Sequence, residues 1–133
     1  MNYVGIDYHK KYSVVTAIDE MGHVIQTTRL DNRSEPFQAF FNSLGGPSET
    51  VLEATRTWGV LYDLLEELDG VESVTLAHSL NVRAIAEAKI KTDTIDSHSL
   101  AQLLRVDLIP AAYIPGKETR SFKEMVRQRI FLV

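Results

Sequence analysis

The chain of 133 residues contains no cysteine. That excludes a disulfide framework, a thiolate metal site and a thiol nucleophile, and it fits a reducing, cytoplasmic setting. No apolar run exceeds a few residues, so no membrane span is expected. The opening MNYVGIDYHKKY has no basic stretch followed by an apolar core, so no signal peptide is expected either. With 4 prolines and 7 glycines the chain is neither collagen-like nor low in complexity, and no internal repeat shows. Hydrophobic residues at 44% and charged residues at 24% are ordinary globular values, which excludes disorder. The length suits a single domain with a real core.

The net charge of −4 is unevenly spread. Residues 1–80 hold twelve acids against five Lys and Arg, whereas residues 81–133 hold nine Lys and Arg against six acids. A basic last third on an acidic body is compatible with a polyanionic partner, although charge runs on helices are commonly just solvated faces.

Three short segments rich in Val, Ile, Thr and Tyr open the chain: Asn2 to Asp7, Tyr12 to Asp19 and His23 to Leu30. They read as antiparallel strands, with Asp19-Glu20-Met21-Gly22 as a hairpin loop ending in a left-handed glycine. Ser34 is the expected N-cap of a helix carrying Phe37, Phe40, Phe41 and Leu44 on one stripe, stopped by Gly45-Gly46-Pro47. Thr50 to Ala54 reads as a buried strand. Thr57 is then expected to cap a helix bearing Trp58, Leu61, Leu65 and Leu68, which Gly70 ends, and Glu72 to Ala77 reads as a fifth strand. Helices follow over Asn81 to Lys89 and, capped by Thr92, over Asp93 to Val106; a Pro-flanked connector spans Leu108 to Pro115, and Lys117 to Val133 reads as a further amphipathic helix. This order describes an α/β fold: a mixed five-stranded sheet with helices on both faces. In such a sheet the carboxyl ends of the first and fourth strands lie side by side, where ligand sites on open sheets fall.

Acids stand at those ends. Asp7 closes the first strand on the face opposite Val4 and Ile6, and Glu53 closes the fourth. In Lys91-Thr92-Asp93-Thr94-Ile95-Asp96, a helix starting at Asp93 sets Asp93 and Asp96 about 60° apart at roughly 100° per residue. Leu100, Leu103 and Leu104 fall in the same wedge and Gln102 and Arg105 on the far side, so both carboxylates are expected to point inward. Like charges near the protein body repel and lose hydration unless a proton or a cation intervenes. Asp7, Glu53, Asp93 and Asp96 thus form a candidate oxygen-only cluster of the kind that suits Mg²⁺ or Mn²⁺. Two such ions about 4 Å apart stabilise the attacking and leaving oxygens of a phosphodiester displacement. The four acids equal the chain's surplus of negative charge.

Lys10, Lys11, Arg83, Lys89 and Lys91 flank these acids in sequence and are the candidate contacts to a nucleic-acid backbone. His9 reads as a loop residue beside the site. His98, about 160° around the expected helix from Asp96, reads as a surface or packing residue. Ser97 and Ser99 lack a general base at triad spacing, and Trp58, Phe37, Phe40 and Phe41 stand at core spacing.

The stretches GIDYHK at 5–10, LEAT at 52–55 and NVRAIAEAKIKTDTIDSHSLAQLLRVDLIP at 81–110 resemble the N-terminal domain of the DEDD transposases. These are insertion-sequence recombinases related to pilin-gene invertases. The resemblance covers essentially the whole chain and implies a ribonuclease H-like (RuvC-type) fold, with Asp7, Glu53, Asp93 and Asp96 as the four Mg²⁺-coordinating acids that name the family. It also implies DNA as substrate, a structured bridge RNA as guide, homo-oligomeric assembly, and a C-terminal domain with a serine nucleophile that follows a helical linker. Residues 1–110 then form the metal-binding domain and residues 111–133 the connector and the start of the linking helix. A piece without the serine domain is expected to be unable to recombine DNA alone. Ser97 stands where many relatives carry alanine. Two other readings remain on the residues themselves: half of an actin-like kinase, whose first strand also ends in Gly-Ile-Asp, and a non-catalytic nucleic-acid-binding or assembly module.

Overall fold

The computed structural model describes residues 1–54, 58–78, 81–85 and 96–112. Three antiparallel strands open the chain: β1 (Asn2–Tyr8), β2 (Tyr12–Ile18) and β3 (Val24–Asp31). Helix α1 (Ser34–Ser43), strand β4 (Ser48–Glu53), helix α2 (Trp58–Glu66) and strand β5 (Val71–Ala77) follow. After a helical turn at residues 81–85 comes helix α3 (Ser97–Arg105). The sheet order is β3-β2-β1-β4-β5, with β4 parallel to β1 and β5 parallel to β4. The mixed five-stranded sheet is therefore as expected, and β1 and β4 are neighbours in it.

Alternation along the strands sorts the core into two layers. Val4, Ile6, Val15, Ala17, Leu52 and Leu76 pack against Phe37, Phe40 and Phe41 of α1 and Leu61, Tyr62 and Leu65 of α2. On the opposite face Val51 and Ala77 meet Val82 and the α3 residues Leu100 and Leu103. Trp58 belongs to the first layer, edge-on to Tyr62 with ring centroids 5.7 Å apart, as its spacing suggested.

Turn chemistry matches the sequence closely. Gly22, Gly45 and Gly70 all have positive φ, the region that lacks a steric penalty only for glycine. In the β2–β3 turn the Asp19 carboxylate accepts from the backbone N–H groups of Met21 and His23, both at 2.9 Å. The bond from His23 is the main reason the Asp19 pKa lies below its ordinary value. Ser34 is not the cap of α1: Arg33 occupies that position in extended conformation, without a side-chain capping bond.

The larger correction concerns α3. It begins at Ser97, four residues later than its hydrophobic stripe suggested, and Asp96 is its extended N-cap at φ −104° and ψ 178°. Asp96 therefore does not share a helical face with the leucines; it is exposed. A cap with a good acceptor ends the helix where periodicity alone would continue it. The expected Thr92 cap, the Thr57 cap, the rest of the helix to Lys89 and the helix from Lys117 lie outside the described residues.

What brings α3 onto the sheet is Gly5. A Cβ there would overlap the Ser97 carbonyl oxygen and lie 2.7 Å from the Ala101 nitrogen, so the helix backbone rests on the strand backbone. Beside this contact the Thr16 and Ser97 hydroxyls bond at 2.7 Å, fully buried, which gives Ser97 a structural role that alanine would not fill. At the far end Gln102 donates to the Gly22 carbonyl at 2.8 Å and accepts from Arg105. Gln102 and Arg105 thus grip the β2–β3 turn instead of facing away from the fold. These contacts set α3 antiparallel to β1, its N-terminus at the carboxyl end of that strand. The connector stays attached to the sheet as far as it is described: Ala111 bridges Ala77, and the Ala112 N–H donates to Leu76.

Because backbone atoms cannot yield as a flexible side chain can, Gly5→Ala is expected to lower the unfolding free energy by about 1–3 kcal/mol. Gly46→Ala, whose new methyl meets nothing nearer than an Asn2 nitrogen at 4.0 Å, is expected to be near neutral. Urea denaturation of the two variants checks the contrast.

Candidate active site

Glu53 ends β4, and Asp7 is the last residue but one of the adjacent parallel strand β1. The β1–β4 register runs to the pair Ile6 and Leu52, and one further step sets Asp7 beside Glu53 on the face that carries Gly5, Val51 and α3. The N-terminus of α3 arrives at the same end of the sheet, bringing Asp96. Three of the four expected acids thus lie toward the same end of the sheet, on three different elements, each with a separate partner. The fourth, Asp93, lies outside the described residues, as do Lys89 and Lys91.

Each described acid has its own partner. The Asp7 side chain, 33% exposed, lies 3.2 Å from His9 Nε2. Glu53, only 16% exposed, has Arg83 Nε 3.9 Å from its Oε1. Asp96 Oδ1 accepts the Ser99 N–H at 2.8 Å, which satisfies one of the free donors of the first turn. Among the described residues no three His, Asp or Glu side chains are grouped closely enough to hold a metal ion. The donor chemistry nonetheless suits a hard divalent cation, being all carboxylate oxygen. The partners are also replaceable: His9 and Arg83 are exposed, and the Arg83 contact is long.

Lys10 and Lys11 are exposed in the tight β1–β2 turn, with no carboxylate partner among the described residues. Arg83 is exposed as well, but its guanidinium faces Glu53. His98 is exposed and touches Gln102 at 3.3 Å, apart from the acids.

A family model described as "Transposase", that of the IS110-type DEDD enzymes, matches residues 4–133. The chain belongs to the DEDD transposase family. No curated protein matches it closely enough to add a relative. For this transposase domain, the ribonuclease H-like fold expected from the motifs agrees with the mixed sheet and its two helical layers. DNA is the partner that the family assignment carries with it. None of the described helices is long and apolar enough to cross a membrane.

Asn32, Tyr12 and Arg29 at this edge escaped the sequence reading, and His9 was expected only as a loop residue beside the site. Asn32 secures the β1–β2 turn of the transposase domain: its side chain donates to the His9 carbonyl at 2.7 Å and accepts from Ser13 at 2.6 Å, and its N–H donates to Lys11. His9 is stacked on Tyr12, with ring centroids 4.7 Å apart and planes 21° apart. Arg29 Cζ lies 3.5 Å from the centroid of the Tyr12 ring. The signal for these was the short turn itself, which fixes the β1–β2 register and hence which residues share the Asp7 face.

The capping bond gives Asp96 a structural role that can be measured by itself. Asp96→Ala is expected to cost about 1 kcal/mol of stability, whereas Asp96→Asn keeps an acceptor at the cap and costs a few tenths at most. Chemical denaturation in metal-free buffer measures both.

Proposed function

We propose that this chain is the metal-binding catalytic domain of a DNA transposase, in which Asp7, Glu53, Asp93 and Asp96 hold Mg²⁺ (or Mn²⁺) for DNA strand cleavage and exchange. This reading is supported by the position of Asp7 and Glu53 near the carboxyl ends of neighbouring parallel strands, with the Asp96-capped start of α3 directed toward the same end of the sheet. Carboxylates gathered at one end of a sheet need counter-charge, and the positive end of the α3 dipole supplies only part of it. A divalent cation would supply the remainder.

When bound, such an ion stabilises negative charge on the attacking and leaving oxygens of the phosphodiester. The chain's own contribution is placement. Asp7 is held in the β1–β2 ladder opposite Val14 and Glu53 in the β4–β5 ladder opposite Ala77, and Asp96 is fixed by its capping bond. Lys10, Lys11, Arg83, Lys89 and Lys91 supply the positive charge that a DNA backbone requires beside an acidic site. For Arg83 this means leaving Glu53 when the carboxylate takes up the cation.

In the full-length protein this domain, residues 1–110, works with a C-terminal serine-bearing domain reached through the connector and linking helix that begin in residues 111–133. Recombination there is guided by a structured RNA and carried out by more than one copy of the chain. The isolated piece binds metal and nucleic acid without completing strand exchange. These points rest on the resemblance of the motifs and on the family match.

Ligand linkage provides the test: Mg²⁺ or Mn²⁺ at millimolar concentration is expected to raise the melting temperature of the chain, and Asp93→Asn to abolish the rise. In the full-length transposase, Asp7→Asn is expected to eliminate recombination while leaving the protein folded. A melting curve that does not respond to either metal counts directly against this reading.

A further inference from the structure

The pairing registers place three residues in one row across the sheet, and extending the β1–β4 register by one step adds a fourth. Asp7 is the Cα partner of Val14, and Val14 is the partner of Arg29. Glu53 stands on the other side of Asp7 by continuation of the β1–β4 register. Directly opposed residues on paired strands share a face, so Glu53, Asp7, Val14 and Arg29 all lie on the face that α3 covers further down. Two carboxylates and a guanidinium thus share one transverse line, with Arg29 two strands from Asp7, about 10 Å at the Cα positions.

Arg29 is exposed, and no carboxylate partners it among the described residues. Its guanidinium is not free to wander, because it lies over Tyr12, whose ring also stacks with His9. His9 in turn reaches Asp7. A continuous chain of contacts, Asp7 to His9 to Tyr12 to Arg29, therefore ties the cation to the candidate metal edge. Holding an arginine flat on an aromatic ring reduces the side-chain freedom lost on binding and leaves its planar fork of donors available to a phosphate. With Lys10 and Lys11 exposed in the adjoining turn, three cations without a carboxylate partner among the described residues stand on the β2–β3 side of Asp7.

We propose that Arg29, seated on Tyr12, clamps a backbone phosphate next to the scissile one, so that a single nucleic-acid strand crosses the sheet from Arg29 toward Asp7 and Glu53. This rests on the catalytic reading above for what happens at Asp7, but the clamp itself is a binding property. Tyr12 is a positioning residue here: it orients the guanidinium, and its hydroxyl has no part in the contact.

The test is fluorescence anisotropy of the 133-residue chain with labelled single-stranded DNA and with RNA of the same sequence, in a salt titration. Arg29→Ala is expected to weaken binding about tenfold or more. It should also reduce the slope of log K against log salt by roughly 0.7, the signature of one lost phosphate contact on a single strand. Arg29→Lys is expected to keep the slope but lose affinity, since an ammonium cannot form the planar fork. Tyr12→Ala should match that partial loss and Tyr12→Phe should not. The strand that responds more strongly, DNA or RNA, identifies which one the clamp holds. Arg29→Ala binding within twofold of the unaltered chain, with the same salt slope, overturns the proposal, as does a chain that binds neither strand.

The metal-induced melting shift is read in parallel on Arg29→Ala. If that shift persists while binding is unchanged, the clamp fails and the metal site stands. If binding falls while no form of the chain responds to metal, the clamp stands and the catalytic reading fails.

Discussion

The backbone contact between α3 and β1 at Gly5 is the constraint on which the rest of this structure depends. A side chain of any size there would hold the helix away from the sheet, because the obstructing atoms are the carbonyl of Ser97 and the nitrogen of Ala101. With no Cβ in the way, the helix lies against the strand and its buried hydroxyl bond to Thr16 can close. The other end of the helix is fixed on the β2–β3 turn through Gln102. Position and direction are thereby determined together, and the Asp96 cap arrives at the strand end that bears Asp7. In a transposase domain whose expected chemistry depends on carboxylates from separate segments, this packing contact sets the direction from which one of those segments approaches the sheet.

The electrostatic design follows from that placement. Acids at the carboxyl ends of two inner strands and at a helix start create a locally negative edge in a chain that is already acidic overall. A polyanionic substrate would be repelled by such an edge alone. Cations on either side address this: Arg83 against Glu53 on one flank, and Lys10, Lys11 and Arg29 on the other. The arginine–tyrosine–histidine stack gives the second flank a defined geometry, where isolated surface lysines would supply only diffuse attraction. Family membership makes DNA the partner of this domain, and the proposed catalytic reading would set its backbone over the carboxyl end of the sheet.

Most strand and turn positions were legible because their causes are local. Gly22, Gly45 and Gly70 sit where the backbone needs positive φ, and apolar alternation in β1 and β2 marks the buried faces. The stripe Leu100 and Leu103 was likewise legible, and both are buried. The start of α3 was not. Asp93 to Val106 carries a continuous helical periodicity, and nothing local distinguishes Asp96 as a cap from Asp96 as an inward-facing helical acid. The pattern of Gln102 and Arg105 was misleading for a related reason: a polar residue on the far side of a stripe still finds partners when a turn from elsewhere in the chain packs against it.

By itself the sequence determined the class of fold, the succession of its elements and the acids near strand ends, because period, turn residues and strand termini are written within a few neighbouring positions. The motif resemblance added the family. Only the tertiary structure decided where the helix begins, that Asp96 caps it in full view of solvent, and that Arg29 shares a row with Asp7. Those outcomes depend on strand register and on a close backbone approach, and both are relations between segments far apart along the chain.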